Sequence, residues 1–518
     1  MVSHMNEAWK VALVAAYVIP AVLLMFYSFN LYMLVCLWLL RRRGARAERE
    51  RLYQVFEDRF SAADLSPVVT QIPVYNEYNV VERVMRAAVA MEYPAGRHTV
   101  QVLDDSNDET VGLVDRVAAE LRGAGHDVQV IRRPNRIGFK AGALEYGMAQ
   151  TPADLFAIFD ADFVPPPDFL LRTVPVLLVR TDLGLVQARW GHLNEKHSLI
   201  TRAEAIGIDG HFTIDQGARA WNGLFMNFNG TAGLWRRQAI EDGGGWEHDT
   251  LTEDLDLSYR SQLAGWKCYY LPDLVVPAEL PENINAFKTQ QFRWAKGSIQ
   301  TAIKIIPRVL RSNARPMAKL QAIFHMTYYA VHPLMVWMAL ISLPMLHYVG
   351  WDTGAGLVVA LTVFFMISSL APHVMYGISQ CVLHRQGWKR LLYLPVLTVF
   401  GVGIAVSNTR AVLEALVGHT SAFIRTPKSG DKSVRRYRGG VSAVTVLELL
   451  IGLYCAFAVW CCVNEGQFGA WCFLVIYALG FSTVGCCSIW QALTDGSLSR
   501  TPEAAPATTA EAETEAAA

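Results

Sequence analysis

Residues 154–162 read DLFAIFDAD. Leu155, Phe156, Ala157, Ile158 and Phe159 run without a polar interruption, which marks a strand buried on both faces rather than one alternating between core and water. The run ends in two aspartates one residue apart, Asp160 and Asp162. Ligands of open α/β sheets gather outside the carboxyl ends of the strands. Two carboxylates at that edge suit a hard divalent ion that bridges a diphosphate. A lone D-x-D is more often an ordinary solvated turn than a metal site, so its surroundings have to decide.

Moving outward, four further runs carry strand character: VVTQIPV (68–74), HTVQVLDDS (98–106), DVQVIRR (127–133) and LGLVQARW (183–190). Amphipathic stretches such as 77–92 and 108–122 lie between them. Strands alternating with helices imply an α/β domain, a mixed and mostly parallel sheet with helices on both faces. The first two strands end in polar groups that would open onto the crevice of Asp160 and Asp162. IPVYNE (72–77) offers Tyr75 and Glu77 to a base and ribose, and Asp104 or Asp105 suits the rest of a nucleotide. Pro, Asn and Asp are also plain turn formers.

Lys140, in GFKAG, stands at a helix start where an ammonium and the helix N-terminus together can hold phosphate. Thr252, Glu253 and Asp254 open the helical stretch LDLSYRSQLAGW; Thr250 with Glu253 also matches a capping box. An inverting sugar transfer needs one carboxylate to take the proton of the attacking hydroxyl, and Asp254 is the candidate base. FNGTAG (228–233) is glycine-rich enough for close approach to a sugar, making Asn229, with Glu253, a candidate for acceptor binding. Gln290, Arg293 and Trp294 fall at i, i+3 and i+4, on one helical face. There Gln290 and Arg293 can meet the diphosphate, and the Trp294 indole can stack on an acceptor sugar. Anchoring of Arg and Trp at a membrane surface is the competing reading.

The whole chain has 518 residues, 52% of them hydrophobic, too apolar for a soluble domain alone, while 18% charged is too many for membrane throughout. Its formal net charge of zero gives no support to nucleic-acid binding. Of nine cysteines, all but Cys268 lie in or beside apolar runs, in no zinc or disulfide spacing. Residues 1–43 are expected to be a signal anchor, its apolar run at 11–40 followed by Arg41, Arg42 and Arg43. Residues 44–281 form the catalytic domain and 282–321 an interfacial helix, basic through Lys288, Arg293, Lys296, Lys304, Arg308 and Arg311. Two spans are expected in 322–383 and two in 443–491, with a disordered tail over 492–518. Three basic loops can all face the cytoplasm if 390–406 does not cross or if one of the other apolar runs is miscounted, and the first is preferred because Pro395 and several glycines break that segment. Residues 384–442 are therefore read as an interfacial or re-entrant segment followed by the loop FIRTPK (423–428). This places the chain in the cytoplasmic membrane with its catalytic domain in the cytoplasm.

Taken in order, DD, D-x-D, T-E-D and Q-x-x-R-W resemble the processive family-2 glycosyltransferases, among them the bacterial cellulose synthase catalytic subunit and the plant cellulose-synthase-like mannan and glucan synthases. The resemblance spans about residues 65–430, and FNGTAG and QQFRW are similar to the plant mannan and glucan branch. It implies a GT-A fold beside a transmembrane channel, a UDP- or GDP-sugar donor, with UDP-glucose favoured over GDP-mannose, and a polysaccharide acceptor. It further implies nucleotide contacts at Tyr75, Glu77, Asp105 and Lys140 and Mg2+ or Mn2+ at Asp162 supported by Asp160. Asp254 would be the base and Trp294 would hold the acceptor. FIRTPK is similar to a gating loop whose Thr426 and Lys428 approach the diphosphate, with Arg425 where the family carries valine. Membrane lipid is an expected partner, and accessory export subunits are compatible with the reading. The alternative is transfer to a lipid acceptor such as diacylglycerol or polyprenyl phosphate.

Overall fold

The computed structural model describes residues 7–348, 355–419, 442–464 and 471–494. The FIRTPK loop, with Thr426 and Lys428, lies outside these residues. The described chain forms one α/β domain between apolar helices.

Seven strands make one sheet: β1 (Val68–Val74), β2 (His98–Asp104), β3 (Val128–Ile131), β4 (Leu155–Ile158), β5 (Leu183–His192), β6 (Gly233–Arg236) and β7 (Lys267–Ala278). Their spatial order is β3-β2-β1-β4-β6-β5-β7. β1, β2, β3 and β4 are mutually parallel, as are β5 and β7, and β6 runs antiparallel to both β4 and β5. The sheet is mixed and mostly parallel, as the alternation of strand and helix implied. β1 and β4 are buried almost throughout because helices cover both faces. One layer packs Val81, Val84 and Met85 with Val114, Val117, Phe169 and Val174. The opposite layer packs Leu144, Met148, Ile208 and Phe212 with Phe156 and Trp235.

Two strands escaped the sequence reading. Gly233–Arg236 is four residues long and follows a glycine-rich segment that reads as loop. Lys267–Ala278 contains Pro272 and Pro277, which argue against a central strand; it forms the sheet edge, where a missing N–H costs no ladder bond.

The first helix, Glu7–Arg59, has 53 residues and continues unbroken past the boundary expected at residue 43. Its last turns belong to the domain: Leu52 enters the core, Arg49 pairs with Asp273 at 2.5 Å, and the Tyr53 hydroxyl donates to the Arg172 carbonyl at 2.9 Å. Helices long and apolar enough to cross a membrane cover Ala8–Arg59, Tyr328–Tyr348, Ala443–Asn464 and Phe473–Thr494. A further helix spans Ala355–Leu383, the other expected crossing. Gly387–Gly403 and Ala405–Leu416 are bent against each other by 43°, the geometry of a broken span or re-entrant segment. These helices fit a multi-pass membrane protein.

Ile284–Arg311 connects the domain to this bundle, and Asn283 caps it by accepting from the Ala286 N–H at 2.9 Å. Its cations do not all serve the membrane surface. Lys288 pairs with Glu448 at 2.8 Å and Lys296 with Glu414 at 2.9 Å, both lysines buried. The helix is a buried strut over its first two thirds, whereas Ile303, Arg308, Leu310 and Arg311 are exposed.

Candidate active site

The carboxyl ends of β1, β2 and β4 face the strut helix across a cleft lined by Tyr75, Glu77, Asp105, Lys140, Asp160, Asp162, Asn229, Glu253, Asp254, Gln290, Arg293 and Trp294. Twelve side chains chosen from the sequence as candidates thus meet in one cavity, although more than 200 residues separate Tyr75 from Trp294.

Each is placed by local chemistry. The turn after β1 holds Asn76 at φ 55°, with its N–H donating to Ser106 Oγ at 2.9 Å and its amide paired with Asn107, which ties Tyr75 and Glu77 to the end of β2. Asp105 accepts both forks of Arg133, at 2.8 and 2.6 Å. Arg133 also donates to the carbonyls of Ile137 and Phe139, so Asp105 fastens the turn that starts the helix Phe139–Ala149. Asp104 is a correction. Its side chain is fully buried, salt-bridged to Arg132 at 2.8 Å and accepting from the Ser106 N–H at 3.1 Å, and it lies outside the cleft. Strand alternation turns one carboxylate of the pair toward the site and its neighbour away.

At the end of β4, the Asp160 N–H donates to Thr231 Oγ1 at 2.9 Å, and the Phe163 N–H closes the turn onto the Asp160 carbonyl at 3.0 Å. Lys140 Nζ donates to Asp160 Oδ1 at 2.6 Å and to the Gly230 carbonyl at 2.8 Å, and lies 3.9 Å from Glu253. Gly230, at φ +78°, brings the FNGTAG backbone against the chemistry: a Cβ there would stand 3.1 Å from Asp254 Oδ2 and 3.3 Å from Lys140 Nζ. No side chain larger than that of glycine fits there without displacing Asp254 or Lys140.

Thr252 is the N-cap of the helix Glu253–Leu263, but its side chain makes no capping bond, and the capping box with Thr250 does not form. Instead Thr252 Oγ1 bonds Thr301 Oγ1 at 3.1 Å and the Leu251 N–H donates to Gln300 Oε1 at 3.0 Å, so the T-E-D turn is pinned to the strut helix. Asp254 Oδ1 accepts from the Leu255 N–H at 2.8 Å.

Electrostatics separates the roles. Burial, then the neighbouring Glu253 charge, pushes Asp254 up to about 7, far above an ordinary aspartate. Burial likewise raises Glu253, with Lys140 opposing. For Lys140 burial works against the charge, but Asp160 and Glu253 outweigh it and the ammonium is stabilised. Burial lowers Arg293, while Asp160, Glu253 and Asp162 pull the other way.

Asp160 and Asp162 supply two hard oxygen donors on one tight turn. A magnesium-like ion is commonly held by one or two carboxylates plus substrate phosphates rather than by a full protein cage, so this donor set fits one that arrives with a diphosphate. Among the described residues, a group of three acidic ligands converges elsewhere, at Glu247, Asp249 and Asp256. There the Lys304 ammonium already pairs with all three, at 2.7 Å from Asp249 and 3.1 Å from Asp256, and supplies the cation itself.

Cleft residues missed in the sequence include Arg136, His192 and Glu279. Arg136 places its guanidinium 3.3 Å above the Tyr75 ring. His192 ends β5, and that position at a strand's carboxyl edge was the available signal. Glu279 follows β7, the strand that itself went unread.

Residues 67–297 match the family model described as glycosyltransferase like family 2. Glucomannan 4-beta-mannosyltransferase 9 of Arabidopsis thaliana is 33% identical over 461 residues, 85% of this chain and 84% of that protein. The chain belongs to glycosyltransferase family 2. Glucomannan 4-beta-mannosyltransferase 7 of the same plant is 31% identical over 89% of this chain and 84% of its own length. A mannosyltransferase from Pyrobaculum calidifontis, solved with GDP-Man and Mn2+, superposes with a TM-score of 0.47 at 17% identity, covering 80% of this chain and 99% of that one. By its family and by the two plant relatives, this family-2 protein is a hexosyltransferase of the kind that builds β-linked polysaccharide. The preference for glucose over mannose is corrected: the relatives that span the chain are mannosyltransferases by name, not β-glucan synthases.

Proposed function

We propose that this family-2 glycosyltransferase elongates a β-1,4-linked mannan or glucomannan from GDP-mannose, at the cytoplasmic mouth of its own membrane bundle. The observation that carries the reading is the convergence of Asp160, Asp162, Asp254 and the Gln290-Arg293-Trp294 face in one cleft beside the strut helix. Names of relatives aligned over more than four-fifths of the chain support the mannosyl donor and the linkage.

In this reading Tyr75, Glu77 and Asp105 receive the nucleoside. Asp160 and Asp162 would hold a divalent ion, which when bound would supply positive charge to a departing diphosphate. Lys140 and Arg293 add fixed positive charge at the same place. The acceptor's terminal sugar rests on Trp294, near Asn229 and Glu253, with its hydroxyl toward Asp254. Asp254 takes that proton as the oxygen attacks the anomeric carbon from the face opposite the diphosphate, which inverts the centre and yields the β-linkage. A carboxylate raised to about 7 is a stronger base than an ordinary aspartate, suited to this proton. Product then leaves along the bundle that the strut helix braces.

The test is nucleotide release by purified protein with Mg2+ or Mn2+, given GDP-mannose and UDP-glucose separately, followed by digestion of product with β-mannanase or β-glucanase. GDP release with a high-mass product cleared by β-mannanase is expected. Faster turnover of UDP-glucose would overturn the donor, and label confined to the lipid fraction would overturn the polymer.

A further inference from the structure

β5 ends in Trp190, Gly191 and His192, paired in regular register with Val276, Pro277 and Ala278 of β7. Successive side chains of a strand leave on opposite faces, so Trp190 and His192 share one face. Gly191 looks the other way, where a Cβ would come within 2.7 Å of Val275 Cγ1. Both rings line the cleft. Trp190 is wedged between Phe163 and Phe212, each ring centre 5.1 Å away. Its indole Nε1–H, which can only donate, is buried and meets no acceptor among the described residues.

His192 is fixed by a carboxylate. Its Nε2 lies 3.0 Å from Oδ1 of Asp209, a buried residue of the helix Leu199–Gly210. Gln380, in the last turn of the helix Ala355–Leu383, donates to Asp209 Oδ2 at 3.0 Å, and His384 Nε2, just beyond that helix, lies 3.4 Å from the same oxygen. Burial works against the Asp209 charge, but the hydrogen bonds of His192 and His384 outweigh it and hold the carboxyl well below its ordinary range. An ionised carboxylate only accepts, so His192 carries a proton on Nε2; turning the ring over would set a carbon against Asp209 and lose the bond. The His192 side chain is 6% exposed, and its Nδ1 has no partner among the described residues. That holds for either charge of the ring: neutral, Nδ1 is an acceptor without a donor; protonated, it is a donor without an acceptor. Unmet buried polar atoms are costly. A sugar hydroxyl both donates and accepts, so it completes Nδ1 in either form and the indole N–H as well.

The position in the sheet says which sugar. β5 stands two places from β4, with β6 between, so its end lies two strand spacings, about 10 Å, from the turn of Asp160 and Asp162. It is also on the side of β4 away from β1 and β2, whose ends carry Tyr75, Glu77 and Asp105. We propose that Trp190 and His192 form a subsite for a sugar of the acceptor glycan behind its terminal unit, its hydroxyls meeting the indole N–H and the imidazole Nδ1, with Asp209 as the residue that positions the imidazole. The proposal rests on the glycan-elongating reading above and extends it past the sugar that Trp294 holds.

The experiment measures acceptor KM with GDP-mannose for β-linked mannan acceptors of one to four sugars, in wild type, His192→Gln, His192→Asn, Trp190→Phe, Asp209→Asn and the double variant His192→Gln/Asp209→Asn. In wild type KM should fall about tenfold along the series, the worth of one or two completed polar contacts. His192→Gln keeps an N–H for Asp209 but places nothing at Nδ1, and should lose most of that fall while donor KM and the unfolding temperature stay near wild type. His192→Asn, whose amide reaches the Nδ1 position, should recover part of it. Trp190→Phe deletes the N–H and keeps a ring between Phe163 and Phe212, and should also flatten the series. Asp209→Asn should flatten it alone yet add nothing to His192→Gln, because its effect passes through that ring. A wild-type KM that does not change with length, a full length dependence in His192→Gln or Trp190→Phe, or a rise equal at every length would each overturn the proposal. If His192→Gln does not fold, Trp190→Phe decides by the same series. Wild-type protein that transfers to no mannan acceptor of any length would instead refute the underlying reading, and this subsite with it.

Discussion

Gly297 lies against Thr252 with no room for a side chain: a Cβ there would come within 2.6 Å of Thr252 Cγ2 and 2.9 Å of the Thr252 backbone nitrogen. The strut helix thus touches the T-E-D turn backbone to backbone, three residues after Trp294. Gly297→Ala must push the T-E-D turn away from the helix. Because Gly297 sits mid-helix, alanine also favours the helix itself by about 0.5 to 1 kcal/mol. We therefore expect a kcat loss of 10-fold or more, since roughly 1 Å of misplacement can cost about 100-fold, with a smaller change in unfolding temperature. Wild-type kcat in Gly297→Ala would show that the contact does not set the base.

Asp254→Asn separates chemistry from binding. Loss of a general base typically costs about 100- to 10,000-fold, so transfer should fall by at least that much while calorimetric GDP affinity in the presence of metal stays within about threefold. The raised pKa adds a stability consequence. Between the ordinary carboxylate value and about 7 the folded state holds a proton that the unfolded state has lost, so stability declines as pH rises through that window. Asparagine cannot ionise, and the inactive variant should unfold at an equal or higher temperature than wild type at pH 8. A lower unfolding temperature there would contradict the assigned shift.

The same carboxylate gives the pH profile its acid limb. As the proposed base Asp254 must be ionised, so kcat/KM should be flat above about 8 and fall roughly tenfold per unit once pH drops below about 7. A limb near 4 would mean that burial and Glu253 do not govern the group that titrates in catalysis.

Removing metal should stop transfer, and the site should be that of Asp162. Chelation with EDTA is expected to abolish activity and excess Mg2+ or Mn2+ to restore it. Asp162→Ala should weaken metal-dependent GDP binding by at least the roughly 10- to 100-fold seen when even outer partners of a metal are lost. Glu247→Gln, in the acidic group that Lys304 and Arg260 already pair with, should leave metal dependence unchanged. Equal GDP affinity in wild type and Asp162→Ala would remove the metal from D-x-D.

Sequence was most legible where one residue type has one physical reason to be present. The apolar run of β4 with its two aspartates, and the i, i+3, i+4 face of Gln290, Arg293 and Trp294, both emerged in the cleft because strand ends and helix faces are local geometry. Asp104 and Asp105 could not be told apart without knowing which strand face looks into the site. The capping box at Thr250 matched in sequence but lost to a tertiary contact, Thr252 on Thr301. Lys288 and Lys296 read as membrane-surface cations because their partners, Glu448 and Glu414, lie more than 100 residues away. Asn229 was read from its glycine neighbours, whereas Glu279 gave no sign, since Pro272 and Pro277 hid the strand that leads to it.

The Lys288 and Glu448 pair makes the coupling between domain and bundle measurable. Both side chains are at least 90% buried and 2.8 Å apart, one on the strut helix and one on the helix Ala443–Asn464. Lys288→Ala leaves the Glu448 carboxylate without its cation; breaking a buried pair costs about 3–5 kcal/mol. The unfolding temperature in detergent should drop by several degrees. Replacing both partners with apolar residues, Lys288→Met with Glu448→Leu, removes the stranded charge and should recover most of the loss. Because Gln290 is only two residues along the same helix, the single variant should also lose transfer activity, and the double variant should regain it in step with stability. Stability regained without activity would mean that the charged pair sets the register of the strut helix, and with it the Gln290-Arg293-Trp294 face, beyond simple neutralisation.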